Sequence, residues 1–118
     1  MKEIKAYIRP EKIDDVVHAL EAIGLRDMTI IDVAALGNLR DPEHFRYSIE
    51  FVEQYSKMAK LELVVDDDWC QPIVTTILRS AHTGLPGDGV VFVSPVLEAY
   101  RIREKKRIFK IPVNRRNH

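Results

Sequence analysis

The residues best suited to chemistry lie in one stretch, Thr83-Gly84-Leu85-Pro86-Gly87-Asp88-Gly89, just before the apolar segment 90–93. Three glycines and a proline within seven residues predict a loop, because glycine accepts positive φ and lets a ligand approach the backbone closely. Exposed amides beside a strand can bind an anion. Thr83 offers a hydroxyl, and Asp88 can accept a hydrogen bond from a sugar or a base. A tight turn between a helix and a strand is the alternative, since short glycine motifs give many false positives.

The composition is that of an ordinary soluble domain. The chain has 118 residues, of which 46% are hydrophobic and 31% charged. No apolar run approaches the roughly 20 residues of a membrane span, and the first residues lack the apolar region of a secretory signal. We therefore expect a cytoplasmic protein without membrane insertion. The single cysteine, Cys70, excludes an internal disulfide and a cysteine-cluster metal site, and we predict no metal site.

The chain is neutral overall, but its charge is unevenly distributed. Residues 101–118 contain eight Lys or Arg side chains and one Glu, a net charge of +7, so residues 1–100 carry −7. A basic end on an acidic body is typical of a tail that binds nucleic acid or an anionic surface. It can also line a ligand pocket or pack on the acidic face of its own domain.

Hydrophobic periodicity predicts the elements that position the loop. Period-two or β-branched segments predict strands at 4–8, 28–35, 58–65 and 90–93, with a fifth candidate at 97–103. Helical spacing predicts one helix from Glu11 to Gly24 and another that begins after Asp68. Asp68 is expected to cap this second helix, with Gln71 completing a capping box. The long polar stretch at 38–56 predicts a functional arm.

The order β-α-β-arm-β-α-β is typical of the ferredoxin-like fold, which consists of two split βαβ halves. We therefore predict an α+β sandwich, with both helices on one face of a four-stranded antiparallel sheet. The other face is expected to carry apolar residues that one domain cannot cover. An uncovered apolar face of this kind favours oligomerisation.

Four motifs in one register resemble the PII signal-transduction family. They are Thr83-Gly84-x-x-Gly87-Asp88-Gly89, Ile8-x-Pro10-x-Lys12-x-Asp14-x-Val16, Gly24-x-x-x-Met28-Thr29 and Arg101-Ile102-Arg103. The resemblance covers a domain at 1–104 and leaves 105–118 as a basic C-terminal extension, in which 107–113 is a candidate edge strand for a neighbouring subunit. It implies a homotrimeric regulator, not an enzyme, that binds ATP, ADP or AMP in clefts between subunits. Such proteins signal carbon or nitrogen state by moving the loop 37–55 onto a target protein, such as a transporter or a metabolic enzyme.

The resemblance also implies site residues. Those for the nucleotide are Thr29, Gly37, Asn38, Glu62, Val64, Thr83, Gly87, Asp88, Gly89, Arg101 and Arg103. Those for docking on the partner protein are Arg40, Phe45, Arg46, Tyr47 and Phe51. The chemistry of these residue types agrees with that role, because glycine amides can bind phosphate and arginine makes fork-shaped contacts to phosphate oxygens.

Departures from the family pattern change the expected ligands. Val90 and Asn38 stand where the family usually has a lysine and an arginine near phosphate, so ADP or AMP is expected to bind comparably to ATP. Leu39 replaces a glutamine that helps to coordinate Mg²⁺ and 2-oxoglutarate, and leucine offers no oxygen to a hard cation. Mg²⁺ is therefore not favoured as a cofactor. Met58 replaces a lysine that pairs with the 2-oxoglutarate carboxylate, so 2-oxoglutarate is not expected to bind in the family manner.

Two further expectations concern the arm. Bicarbonate is a candidate second ligand because it is small and anionic, and Arg40 or Arg46 could meet it. Phe51 stands in place of the tyrosine that is uridylylated in many bacterial relatives, and it has no hydroxyl to modify.

Two other function classes remain as alternatives. A nucleic-acid-binding ferredoxin-like domain with a basic tail would need exposed aromatic residues on its sheet for stacking, but the strands offer mainly Ile, Val, Leu and Met, with Phe92 as the exception. A small enzyme would need a base and a nucleophile in one cleft. His82 beside Thr83 is the one candidate pair, and a histidine at a helix end more commonly interacts with the helix dipole.

Overall fold

The computed structural model describes residues 1–36, 56–111 and 113. All four predicted strands and both predicted helices are present. The strands are β1 (Lys2–Ile8), β2 (Thr29–Ala35), β3 (Ser56–Val65), β4 (Val90–Pro95), β5 (Ala99–Arg101) and β6 (Lys106–Ile108). The helices are α1 (Ile13–Ala22), which follows a 3-10 turn at Pro10–Lys12, and α2 (Asp67–Ala81). The predicted arm lies outside the described residues, apart from Ser56, which begins β3.

The main sheet has the strand order β2-β3-β1-β4, and every neighbouring pair is antiparallel. This order places β3 and β1 at the centre and β2 and β4 at the two edges. Together with the two helices it confirms the α+β, ferredoxin-like βαββαβ prediction.

The core lies between the sheet and the two helices. In β1 the side chains of Ile4, Ala6 and Ile8 are buried while the residues between them are not. This alternation follows from the period of two along a strand. The facing apolar residues of β3, α1 and α2 complete the cluster: Leu61, Leu63, Val65, Val16, Leu20, Ile73 and Ile77. Full burial of each large aliphatic side chain contributes roughly 1.5–3 kcal/mol to folding.

The end of α1 confirms the role predicted for Gly24. Gly24 has φ 100°, its amide donates to Glu21 O at 3.0 Å, and the Leu25 amide donates to Leu20 O at 3.1 Å. These two bonds form a Schellman motif, which needs a residue in the left-handed region after the helix. Leu20 and Leu25 are both buried, so the motif also directs the chain back into the core.

The start of α2 differs from the prediction. The helix begins at Asp67, which makes Asp66 the N-cap residue and places Asp68 in the first turn. Gln71 donates to Thr75 Oγ1 at 3.3 Å, so it does not complete a capping box. The predicted cap was therefore wrong by two residues. Three consecutive aspartates offer three equivalent caps, and the position of the chain before the helix selects one of them.

The open face of the sheet is more polar than expected. In its centre Lys60 Nζ lies 2.6 Å from Glu62 Oε1, and Lys5 Nζ lies 3.5 Å from Glu3 Oε1. Large exposed apolar side chains stand on the edge strands of this face, such as Phe92, which is 53% exposed. The expectation of a generally apolar face was wrong, because Glu3 and Lys5 of β1 and Lys60 and Glu62 of β3 occupy alternate positions that point to this side.

A separate hairpin follows the main sheet. Strands β5 and β6 pair antiparallel, with Ala99 opposite Ile108 and Arg101 opposite Lys106, and the turn contains Lys105 at φ 56°. The fifth strand is shorter than the predicted 97–103. Part of the segment proposed as an edge strand for a neighbour pairs within its own chain.

Candidate functional site

The glycine-rich loop joins α2 to β4, as predicted, and Gly84, Gly87 and Gly89 all have positive φ, at 85°, 98° and 97°. A Cβ on Gly89 would lie 1.8 Å from the carbonyl oxygen of Tyr7, whereas a Cβ on Gly84 would meet nothing closer than His82 Cε1 at 3.6 Å. Gly89 is thus required both by its conformation and by the close approach of β1. Gly84 is required by conformation alone.

Two side chains of the loop hold it closed through hydrogen bonds to its own residues. Asp88 Oδ2 accepts hydrogen bonds from the amides of Thr83 and Gly84, both at 2.9 Å. Asp88 Oδ1 accepts from the Thr83 hydroxyl, and Thr83 Oγ1 in turn accepts from the Leu85 amide at 3.1 Å. This network uses the amides at 83–85. The Gly87 amide and the Gly89 amide, which are the ones predicted to meet phosphate, lie outside it.

A buried arginine fixes the loop to the sheet. Arg9 Nε donates to Asp88 Oδ1 at 2.9 Å, and Arg9 Nη2 donates to the carbonyl oxygen of Pro86 at 2.7 Å. Arg9 is only 4% exposed. Sequence reasoning missed this residue, because Arg9-Pro10 reads only as the end of a strand. One feature of the sequence could have indicated such a partner. Asp88 lies between two glycines, and its carboxylate needs hydrogen-bond donors if the loop is to be ordered.

The surroundings of Asp88 keep it ionised. Partial burial raises the pKa of this carboxyl, but hydrogen bonds from the Thr83 hydroxyl and amide, from Arg9 and from the Gly84 amide outweigh burial and hold the pKa well below its usual range. Asp88 was expected to be free to accept from a sugar or a base. The structure shows both of its oxygens occupied inside the loop, so its role here is to position the loop.

The residues predicted to surround an adenine lie together in a recess at the β2–β3 edge. Thr29 is directly opposite Glu62 in the sheet, and Val64 is the next residue of β3 on the same face. The recess has a volume of about 430 Å³. Its other lining residues are Glu3, Arg26, Asp27, Met28 and Leu63. This volume is in the range of small-molecule sites.

Glu62 is not a free carboxylate in this recess. Its hydrogen bond from Lys60 holds the pKa of Glu62 below its usual value, and the same bond raises the pKa of Lys60. Lys60 Nζ also lies 5.8 Å from the centre of the Tyr7 ring, which packs edge-on to Phe92 at 6.2 Å between centroids. A ligand that hydrogen-bonds Glu62 therefore contacts a Lys60–Glu62 ion pair, which has no net charge.

The two predicted arginines lie on the basic hairpin. Arg101 ends β5 opposite Lys106, Arg103 lies in the turn, and both side chains are exposed. An exposed guanidinium can turn toward a phosphate without losing a buried contact.

Distance separates the predicted nucleotide residues of one chain into two groups. The loop precedes Val90 at one end of β4, and the hairpin follows Pro95 at the other end. Six strand residues at about 3.3 Å each span roughly 20 Å. Glu62 is level with the middle of β4, since it is opposite Lys5 and Lys5 is opposite Phe92. Thr29 is opposite Glu62 on β2, the edge strand farthest from β4. The structure brings Thr83, Gly87, Asp88 and Gly89 together as one group, and Thr29, Glu62 and Val64 as the other.

A second, smaller cavity of about 210 Å³ lies between the loop and α2. Its walls include Ile77, Leu78 and Val91, with His82 and Asp88 at its polar end. The Thr83 hydroxyl donates to Asp88 and not to His82, so the pair considered as a base and nucleophile is not assembled. Among residues 1–36, 56–111 and 113, no group of three His, Cys, Asp or Glu residues could hold a metal ion.

Several predicted residues fall outside the described part of the chain. These are Gly37 and Asn38 of the nucleotide set, Leu39, and the docking residues Arg40, Phe45, Arg46, Tyr47 and Phe51. Within the part that is described, no helix is long and apolar enough to span a membrane.

Comparison with known proteins identifies the family. A sequence model described as Nitrogen regulatory protein P-II matches residues 1–106. Nitrogen regulatory protein P-II 1 of Escherichia coli K12 is 39% identical over 103 residues, which are 87% of this chain and 92% of that protein. Nitrogen regulatory protein P-II of Bradyrhizobium diazoefficiens and of Azospirillum brasilense are 36% and 35% identical over the same shares. These matches confirm the resemblance seen in the motifs, and the chain belongs to the nitrogen regulatory protein P-II family.

Proposed function

We propose that this regulatory protein binds adenine nucleotides in clefts between the subunits of a homotrimer. The observation that carries the proposal is that the loop precedes β4 at one edge of the sheet, whereas the recess lies at the opposite edge and the hairpin follows the far end of β4. The loop of one subunit and the recess and hairpin of another can close on one ligand if the chains are arranged head to tail, which is how cyclic oligomers form sites at their interfaces. A second subunit supplies the hairpin that one chain leaves about 20 Å from its loop.

The phosphate end of the ligand meets the loop. The contacts of Arg9 with Asp88 and Pro86 tie the loop to the sheet, which limits the conformational entropy that the loop loses on binding. The Gly87 and Gly89 amides are the donors, and Arg101 and Arg103 of the adjacent subunit supply the positive charge.

The base end of the ligand occupies the recess at Thr29, Glu62 and Val64. The Thr29 hydroxyl and the Glu62 carboxylate are polar groups at its rim, and Val64 supplies an apolar surface for a ring. Nucleotide sites combine an apolar surface with fixed polar groups, and Glu3, Arg26 and Asp27 add further polar groups to this recess.

The residues that replace family cations favour tolerance of shorter phosphate chains. Met58 is 1% exposed, and its methyl group would lie 3.2 Å from a Cβ on Gly89, so an apolar side chain fills the space beside the loop. Val90 also lines the cavity next to the loop. Val90 and Asn38 stand where the family usually has cations near phosphate, so the extra charge of a triphosphate gains little there, and ADP and AMP bind comparably to ATP. Mg²⁺ and 2-oxoglutarate are not required ligands, and bicarbonate is the candidate second effector.

The signal passes from the nucleotide to the arm at 37–55. Ala35, the last residue of β2, is opposite Ser56, the first residue of β3. The two residues that flank the arm therefore lie at the end of the sheet where the glycine-rich loop lies. A ligand that contacts the loop and the first residues of the arm can favour one arm conformation, and that conformation docks on a target protein.

Isothermal titration with ATP, ADP and AMP tests this proposal. We expect binding of all three nucleotides, which Arg103→Ala weakens at least about tenfold because a charge-assisted contact is lost. Lys110→Ala is the matched control, since it removes a basic residue of the same extension and should leave binding unchanged. Absence of binding for every adenine nucleotide would contradict the proposal.

A further inference from the structure

The C-terminal extension is fastened to the start of α2. The Ile111 amide donates to Asp66 Oδ1 at 2.9 Å. Asp66 is the N-cap residue of α2, with φ −66° and ψ 154°, yet its side chain makes no capping hydrogen bond. The Trp69 amide reaches the main-chain oxygen of Asp66 instead, at 3.0 Å. The carboxylate best placed to cap the helix is thus used by the extension.

The segment that enters the hairpin is fixed at the same corner of the molecule. The Val96 amide donates to Met1 O at 3.1 Å, and the amino group of Met1 lies 3.1 Å from Asp67 Oδ1. The hairpin therefore stands between two attachment points, Val96 before it and Ile111 after it. Between them its residues project into solvent, and Ile102 in the turn is 94% exposed.

We propose that Asp66 is a positioning residue, which acts as a clasp with two states. In the clasped state its carboxylate holds the Ile111 amide, and the hairpin is attached at both ends. In the released state the carboxylate caps the first turn of α2, and the hairpin keeps its attachment at Val96 but loses the one at Ile111. The Asp66–Ile111 contact thereby determines how firmly Arg101 and Arg103 are presented.

The two states are close in free energy because each satisfies the same carboxylate. Release breaks one charge-assisted hydrogen bond, and a bond from the Asp68 amide in the first turn of α2 can replace it, as commonly occurs for an aspartate at an N-cap. A ligand that contacts the hairpin only in its fixed position therefore shifts the population toward the clasped state. This consequence rests on the proposed nucleotide function, whereas the clasp itself does not.

Limited trypsin digestion of the full chain tests the clasp directly, because the hairpin contains many cleavage sites. Ile111→Pro removes the donating N–H, while Ile111→Ala removes more of the side chain and keeps the N–H. We expect cleavage after Arg101, Arg103 and Lys106 to accelerate at least about tenfold in Ile111→Pro, since proteolysis follows local opening. Ile111→Ala should stay near wild type. Equal rates for the two variants would overturn the proposal.

A second pair of variants does not depend on proline. Asp66→Ala removes the acceptor, and Asp68→Ala removes an equal charge from the same helix turn without touching the extension. Faster hairpin cleavage in Asp66→Ala alone supports the clasp. The same acceleration in both variants would mean that the loss of charge at the start of α2 is responsible, and would overturn it.

Nucleotide titration of the same variants separates the clasp from the proposed function. If wild type binds adenine nucleotide, Asp66→Ala is expected to bind several-fold more weakly than Asp68→Ala, and equal affinities would contradict the positioning role. If wild type binds none, the proposed function fails, and the digestion result still decides whether the clasp exists.

Discussion

The glycine-rich loop at 83–89 and the basic hairpin at 99–108 are both assigned to phosphate, but they are held in opposite ways. The loop is closed by Asp88 and Thr83 and tied to the sheet by buried Arg9. The hairpin exposes its charged side chains and is attached through backbone amides at either end. A rigid half-site supplies oriented amides at low entropic cost, and an adaptable half-site supplies charge. Mutations should therefore reduce stability in the loop and affinity in the hairpin.

The largest expected effect is that of Gly89→Ala. Its Cβ would overlap the Tyr7 carbonyl, with 1.8 Å between the two atoms, and its backbone has φ 97°. We expect a loss of about 3 kcal/mol or more in the free energy of unfolding. Gly84→Ala is the matched control, because it has a similar φ but open space, and should cost about 1 kcal/mol. Urea denaturation measures both, and equal losses would show that the contact with β1 is not decisive.

The next largest loss in the free energy of unfolding is expected for Arg9→Ala. It leaves the carboxylate of Asp88 and the carbonyl of Pro86 without their buried donor, so we expect about 2–3 kcal/mol of destabilisation. Arg9→Lys should recover part of this loss, since one ammonium cannot reproduce the two directed bonds. Lys12→Ala removes the more exposed Lys12–Asp15 pair and should cost at most about 0.5 kcal/mol. Chemical denaturation of the three variants would contradict the account if Arg9→Ala and Lys12→Ala were alike.

The ionised loop predicts a dependence of stability on pH. The pKa of Asp88 is lowered in the folded chain from an ordinary value of 3.8, so below that pH the unfolded chain takes up the proton first. The contribution of Asp88 is complete at neutral pH and is lost as the pH falls below about 3.8. Asp88→Asn should be less stable than wild type at pH 7, and the difference should shrink in acid. Thermal unfolding at several pH values measures it, and a constant difference would contradict the role given to this carboxylate.

The smallest effect on stability is expected in the hairpin. Arg101→Ala should change the free energy of unfolding by no more than about 0.5 kcal/mol, because the side chain is exposed, and it should weaken nucleotide binding about tenfold. Arg107→Ala is the control, since Arg107 is opposite Tyr100 and so lies on the other face of the two-stranded ribbon. Titration calorimetry in parallel with denaturation would contradict the comparison if Arg107→Ala lost the same affinity.

The sequence predicts those features that depend on local pattern. The alternation of apolar and polar residues in β1 and β3, and the helical spacing of apolar residues before Gly24, were enough to predict the fold. The density of glycines was enough to predict the loop. Arg9 and Asp66 could not be predicted, because their partners lie 79 and 45 residues away in the chain. The function of a buried arginine or of one aspartate among three depends on which distant backbone folds against it. In contrast, the polar open face of the sheet was predictable. Lys5 and Tyr7 are two residues apart in β1, and Lys60 and Glu62 are two apart in β3, so each pair shares one face of its strand.

The central claim, that each nucleotide site is built from two subunits, can be tested with mixed trimers. Arg103→Ala impairs the hairpin half, and Val90→Glu places a repelling charge beside the loop half. Each variant alone should bind adenine nucleotide at least about tenfold more weakly than wild type. After subunits are exchanged in equal amounts, with mixing verified by native mass spectrometry, about one quarter of the sites should combine an intact loop with an intact hairpin. Recovery of about that fraction of wild-type binding is the result that the account predicts. No recovery in verified mixed trimers would show that each site lies within one chain.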